Sequence, residues 1–389
     1  MKQLFFFVAI LIAVFLNTKM ANSLGFVTSH VVICFIPMLL FLGFNIITQK
    51  LRYHKEAILV IILAVIIIIF KWAINQDYTM RALDIMIIPV LMSICFENLT
   101  KKELFLLSRV IIFFYVANCG LSIIEYVLQH SFFEVPEDNE YWMEKGFFRS
   151  TSLIGHPLAN AQMVSVFMTF IAVSEFKQKY IQIILFFLGY ISLFCFSARG
   201  AILVITALTL PYFLWKINKT IPQNRKWIIK LGLFCIICGM MYMVTQTSFG
   251  GRLMGMELMD SSSQTRLNVF DFYRYYQNED DFIWGHPDNY TYIGEKLGPG
   301  HVENGILAVL MYYGIIFTPI MLLLLFRFHY CKLSMYSKLE KWLLIAVFWL
   351  NGCMSSNLAQ AIQWMMWVYA YYAFRPELPL TKSVKTTSS

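Results

Sequence analysis

The hydrophobic pattern runs in long blocks rather than with the short period of a water-exposed helix or strand. Apolar stretches recur near positions 4–20, 26–48, 57–74, 82–96, 104–129, 157–174, 180–196, 201–215, 227–245, 304–326, 342–354 and 357–374. A hydrocarbon core about 30 Å thick needs roughly 17–25 mostly apolar residues per helix, so the blocks predict about twelve transmembrane helices, several of which draw length from their flanks. The expected fold class is all-α, a polytopic integral membrane protein. Polar chain is confined to connectors, and two of these are long. The chain thus divides into N-terminal helices (1–129), a middle loop with its helices (130–245), a long polar insert between the ninth and tenth spans (246–303), C-terminal helices (304–375) and a tail (376–389).

Composition agrees with the blocks. Of 389 residues, 59% are hydrophobic and 14% charged, and the mean hydropathy is +0.63, which excludes an ordinary soluble domain. The formal net charge of +8 invites a nucleic-acid partner, but its distribution argues against one. Lys and Arg gather in alternate connectors: Lys50 and Arg52, Lys101 and Lys102, Lys177 and Lys179, Lys216 to Lys226, Arg327 to Lys341, and the tail from Arg375. This positive-inside pattern places those connectors and both termini in the cytoplasm. Most carboxylates lie in the opposite connectors, so the exterior face is acidic and the insert lies on it. Met1–Ser23 carries an apolar run and Ala21-Asn-Ser, as a cleaved signal peptide does. Its removal would leave an odd number of spans against the charge pattern, so it reads as a retained helix. The cysteines sit in or at the edges of spans, which argues against a disulfide framework. Cys235-Ile-Ile-Cys238 has the spacing of half a zinc site but lies in an apolar helix, where packing is the plainer role.

Candidate chemistry concentrates outside the apolar cores. Lys71, Asp84, Arg109 and Glu125 fall within or near span ends. There a charge is either functional, paired between helices, or snorkelling to the surface. The loop His130–Gly155 is rich in acids and closes on Arg149-Ser-Thr-Ser-Leu-Ile-Gly155-His156-Pro157. Pro157 suits a first helical turn, and the amides exposed there favour an anion. Ser197-Ala-Arg199-Gly200 is all that separates two spans, so those helices are antiparallel neighbours with the guanidinium at lipid-phosphate depth. Arg199 is then either an interfacial anchor or a fork of donors for a lipid-linked diphosphate.

In the insert, Gln264–Tyr276 predicts a helix lying over the membrane-embedded core. Phe272, Tyr273, Tyr275, Tyr276 and Trp284 suit either sugar faces or the membrane interface. Glu279-Asp280-Asp281 reads as a solvated turn, with a divalent-cation site as the alternative. His301, ahead of an apolar helix and among glycines, meets two requirements of a general base: it is held in place and reachable from water.

Three features in order are Ser197-Ala-Arg199-Gly-Ala after a span, Thr265-Arg266 through Trp284-Gly285 in a long exterior loop, and His301 followed by Asn304-Gly305, an apolar helix and Tyr313-Gly314. With the Arg149–Pro157 stretch they cover about 149–320, and over that span the chain resembles the O-antigen ligase and polymerase family. The resemblance implies a GT-C-like membrane glycosyltransferase in the bacterial inner membrane, with its active site facing the periplasm and no cofactor or metal. The implied partners are an undecaprenyl diphosphate-linked oligosaccharide, membrane lipid, a chain-length regulator protein and a flippase. By position, Arg199 and Arg266 would hold the diphosphate and His301 would activate the acceptor hydroxyl. Arg149, His156, Arg274, Glu303 and Asn304 would bind substrate. The family's commoner adjacent His-Asn pair is here split by Val302 and Glu303, which makes Glu303 an alternative base.

Three functions follow. A polymerase would transfer a carrier-linked glycan onto another carrier-linked repeat unit. A ligase would instead transfer it to the phosphorylated lipid A core, for which an acidic exterior is the poorer match. A flippase would call for two similar halves, and no internal repeat is visible.

Overall fold

The computed structural model describes residues 38–43, 52–75, 83–132, 148–220, 269–276, 278–286, 288–297, 302 and 304–375. Their elements are helical throughout. In chain order these are α1 (Lys55–Asn75), a π-helical turn Leu83–Ile87 leading into α2 (Ile88–Glu97), α3 (Lys101–Leu128), α4 (Pro157–Val173), α5 (Lys179–Cys195) and α6 (Arg199–Thr220). There follow a 3₁₀ turn Val269–Tyr275, the short insert helices α7 (Glu279–Trp284) and α8 (Asp288–Leu297), then α9 (Gly305–Lys332), α10 (Lys338–Cys353), a 3₁₀ turn Ser356–Ala359 and α11 (Ala361–Ala373). Four of these helices are long and apolar enough to cross a membrane: those starting at Lys55, Lys101, Arg199 and Gly305. The expected spans near 4–20 and 227–245, and most of that near 26–48, lie outside the described residues.

Local sequence explains where the helices begin. Thr100 and Glu103 form a reciprocal capping box on α3, and Ser337 and Glu340 form another on α10, satisfying amides that have no partner within the helix. Pro157 opens α4 behind an N-cap at His156, as its fixed φ favours.

Packing sorts the helices into inner and outer. In α4 every residue except Leu158 is buried, and α11 contributes fully buried Trp364, Trp367, Tyr369 and Tyr372. A helix apolar all round must be surrounded by others. The outer helices turn large apolar residues outward: Ile62, Ile66 and Ile69 on α1, Phe113 and Val127 on α3, Leu203 on α6 and Leu323 on α9. Such a surface is stable against lipid and costly against water.

Contacts between the helix termini define two ends of the bundle. At one end Ser150 N–H donates to the Cys195 carbonyl, and Gly200 and Gly305 approach Met354 and the Gly352 carbonyl. This is also where the insert docks, and it is termed here the insert end. At the other, the basic end, Lys332 pairs with Glu97 and Lys216 with Glu340.

Helix α9 is broken at Gly314, whose φ of 69° and ψ of 175° are not helical. The break is filled by the insert. A side chain on Gly314 would strike the backbone of Ile283, Trp284 and Gly285, and one on Gly285, at φ 77°, would strike the Tyr312–Gly314 backbone. Glycine at both positions allows two main chains to touch. Trp284 fills the remaining space against Phe70 and Phe317, at ring separations of 4.7 and 6.1 Å.

The expected helix over Gln264–Tyr276 is described only from Val269, where it is a short 3₁₀ turn. Its apolar side chains Phe272, Tyr275 and Tyr276 pack in a small cluster with Ile293 of α8, Val302, and Leu307 and Met311 of α9; the stretch before Val269 lies outside the described residues.

Candidate functional site

The insert end brings together several of the residues singled out above. Arg149 leaves the loop before α4, and its Nε donates to the Phe196 carbonyl at 3.2 Å. Phe196 lies three residues before Arg199 in the tight turn between α5 and α6, where Ser197 takes a left-handed φ of 50°. Two arginines separated by fifty positions therefore share one turn. The loop that carries Arg149 is pinned by Glu125, which is fully buried near the end of α3. Its carboxylate accepts from the Ser150 hydroxyl and from the amides of Phe132, Thr151 and Ser152. A carboxylate held by that many donors acts as a strut, which answers the question left open for Glu125.

Below the turn, the chain from Asn351 to Ser355 is a common floor. Gly200 meets Met354, Gly305 meets the carbonyls of Gly352 and Ser355, and Gln162 Nε2 lies 3.2 Å from where a side chain on Gly352 would begin. Arg199 and Asn304, each preceding one of those glycines, thereby both start helices that meet this stretch. Gln162 of α4, Asn351 of α10 and Gln363 of α11 are all buried, and Gln363 Nε2 donates to the Ala159 carbonyl of α4 at 3.4 Å. Both amide atoms of Gln162, Asn351 Nδ2 and Gln363 Oε1 lack a hydrogen-bond partner among the described residues. Sequence reasoning passed over these amides. The available signal was a polar residue inside an apolar span, which is costly unless it is used.

Other candidates have structural duties. His156 Nδ1 accepts from the Ala159 amide at 3.4 Å, so the imidazole takes up part of the helix N-terminus expected to attract an anion. Asn304 Oδ1 accepts from the amides of Ile306 and Leu307, both at 3.1 Å, and so caps α9. Arg274 is exposed and folds over its neighbour Tyr273, with Cζ 5.6 Å from the ring centre. Arg109 stacks on Phe105 at 4.1 Å on the outer face of α3. Arg266, His301 and Glu303 lie outside the described residues, as does the side chain of Asp84. Glu279, Asp280 and Asp281 form the first turn of α7. Among the described residues no three His, Cys, Asp or Glu side chains gather as metal ligands.

Lys71 fastens the insert to this end. Its side chain is 3% exposed and its ammonium donates to the carbonyls of Trp284 and Gly285. Beside it the His286 amide donates to the Met311 carbonyl at 3.0 Å, tying the insert to the break in α9. The chemistry assembled here is a basic turn over a stretch of chain flanked by buried neutral amides. No family model matches this chain, and no curated protein or solved structure matches it either.

Proposed function

We propose that the protein is a membrane glycosyltransferase, an O-antigen polymerase. It transfers a glycan from undecaprenyl diphosphate to a hydroxyl of a carrier-linked repeat unit at the periplasmic face of the bacterial inner membrane. The observation that carries this reading is the placement of Arg149 on the turn that presents Arg199. Cleaving a sugar–diphosphate bond builds negative charge on the leaving phosphate. Fixed guanidinium groups placed there in advance stabilise that charge more in the transition state than in the ground state. Arg266, from the insert, is the third such group, and His301 or Glu303 takes the proton of the attacking acceptor hydroxyl. Attack from the face opposite the diphosphate inverts the anomeric carbon. The alternative within the same chemistry is the ligase, and the acidic exterior connectors favour the polymerase over it. A transport reading gains little from the break in α9, because the chain's own backbone fills it.

The test uses purified protein with carrier-linked oligosaccharide and no nucleotide sugar. Longer carrier-linked glycans are expected, and a chelator is expected to leave the rate unchanged. Arg266→Ala and His301→Ala each abolish growth while the protein remains folded in the membrane. Full activity in either variant means the site is assigned wrongly, and no growth with wild-type protein rejects the polymerase. In cells, loss of a polymerase leaves lipid A cores capped with single repeat units, whereas loss of a ligase leaves them uncapped.

A further inference from the structure

Between the 3₁₀ turn and α7 lies an open depression of about 620 Å³. It is lined by Tyr273, Tyr276, Asn278, Glu279, Phe282 and Ile283. This size falls within the roughly 300–1,000 Å³ usual for ligand sites. Its wall is an aromatic corner: Tyr276 and Phe282 meet edge to face at 5.2 Å, with Phe272 packed 6.0 Å from Tyr276. Tyr273 is 54% exposed, and its ring is steadied by Arg274, whose Nε donates to the Tyr273 hydroxyl at 3.2 Å. Asn278 and Glu279, both exposed, add a carboxamide and a carboxylate. Burial, reinforced by the charge of Asp281, raises the Tyr276 hydroxyl above its ordinary value, so the aromatic corner is uncharged at neutral pH.

We propose that this depression is a carbohydrate subsite that takes an uncharged pyranose of the glycan chain, its ring face on Tyr273 and the Tyr276–Phe282 corner and its hydroxyls on Asn278 and Glu279. A pyranose presents an apolar C–H face, which suits the negative face of an aromatic ring, and a rim of hydroxyls that donate to a carboxylate. The acids Glu279, Asp280 and Asp281 at the start of α7 outnumber the cation Arg274 beside Tyr273 and so disfavour an anionic sugar, which sets the chemical class. The subsite would hold glycan at a distance from the arginine turn, and its link to chain growth rests on the transferase reading.

The experiment titrates the purified full-length protein with oligosaccharides released by mild acid from the surface polysaccharide of the producing cells. Binding is followed by saturation-transfer NMR and intrinsic fluorescence. Saturable binding is expected, weakened about tenfold by Tyr273→Ala and by Glu279→Gln, since loss of one stacking or hydrogen-bonding contact is of that order. Glu279→Gln changes one exposed atom and so keeps the test valid if Tyr273→Ala misfolds. Absence of saturable binding by wild-type protein, or unchanged affinity in Glu279→Gln and in folded Tyr273→Ala, overturns the subsite. Binding that behaves as expected in a protein that fails to extend carrier-linked glycan supports the subsite and rejects the transferase reading alone.

Discussion

At the basic end Lys332 lies 2.6 Å from Glu97, and Tyr372 donates to the same carboxylate oxygen at 2.9 Å. Lys216 and Tyr212 share Glu340 in the same way, at 3.2 and 2.6 Å. At the insert end, by contrast, Lys71 is held by the carbonyls of Trp284 and Gly285, Arg149 donates to the Phe196 carbonyl, and Glu125 is held by a hydroxyl and main-chain amides. Oppositely charged side chains meet directly at the first end, whereas the contacts named at the second run to main-chain groups and a hydroxyl. An ion pair already satisfied by its partner has little to offer a ligand. A cation held by carbonyls still projects a field, and an anionic substrate answers to it. On the transferase reading proposed above, the basic end holds the bundle and the insert end carries the chemistry.

Breaking one partner of a charge pair should separate the two ends most clearly. Lys332→Met strands Glu97 next to Tyr372 and should cost about 3–5 kcal/mol. Thermal unfolding in detergent checks this, and the activity of each molecule that remains folded should be close to wild type. A matching loss of specific activity would erase the division between the ends. Arg199→Ala should do the reverse, lowering glycan transfer by about 10²–10³-fold with little change in melting temperature. Lys71→Met should fall between them: two carbonyls lose a charged donor, costing about 1.5–3 kcal/mol. Limited proteolysis should then cut the insert faster than the helices, and on the transferase reading transfer should fall because the insert, which carries Arg266, is released.

The smallest effect concerns pH at the basic end. His54 is half-buried beside the Glu97 pair. Burial, and next the charge of Lys332, hold its imidazole below its ordinary value, against the pull of Glu97 and Glu56. Between the folded and unfolded pKa values the unfolded chain binds the extra proton. The stability His54 contributes is therefore whole above its unfolded value and is lost as pH falls through the folded one. The melting temperature of wild type should drop slightly more than that of His54→Gln between neutral pH and about pH 5, a difference of a degree or two. Parallel curves would remove His54 from the network.

The bundle was largely legible in the chain because membrane-spanning length and apolar composition are properties of consecutive residues. Helices occur where the blocks near 57–74, 104–129, 157–174, 180–196 and 304–326 predict them. Pro157 marks the start of α4 locally. The positions of Arg149 and Arg199 at ends of apolar blocks were legible for the same reason. That Arg149 would rest on the turn carrying Arg199 was not, since it depends on how α4 packs beside α5. Nor did pattern reveal that Lys71 would clasp Trp284 and Gly285 more than two hundred positions away. The same holds for Glu125 as a strut and for the approach of Gln162 to Gly352. Local composition states that a polar atom sits in an apolar helix and so needs a partner. Which atom meets that need is settled only when helices distant in sequence are packed side by side.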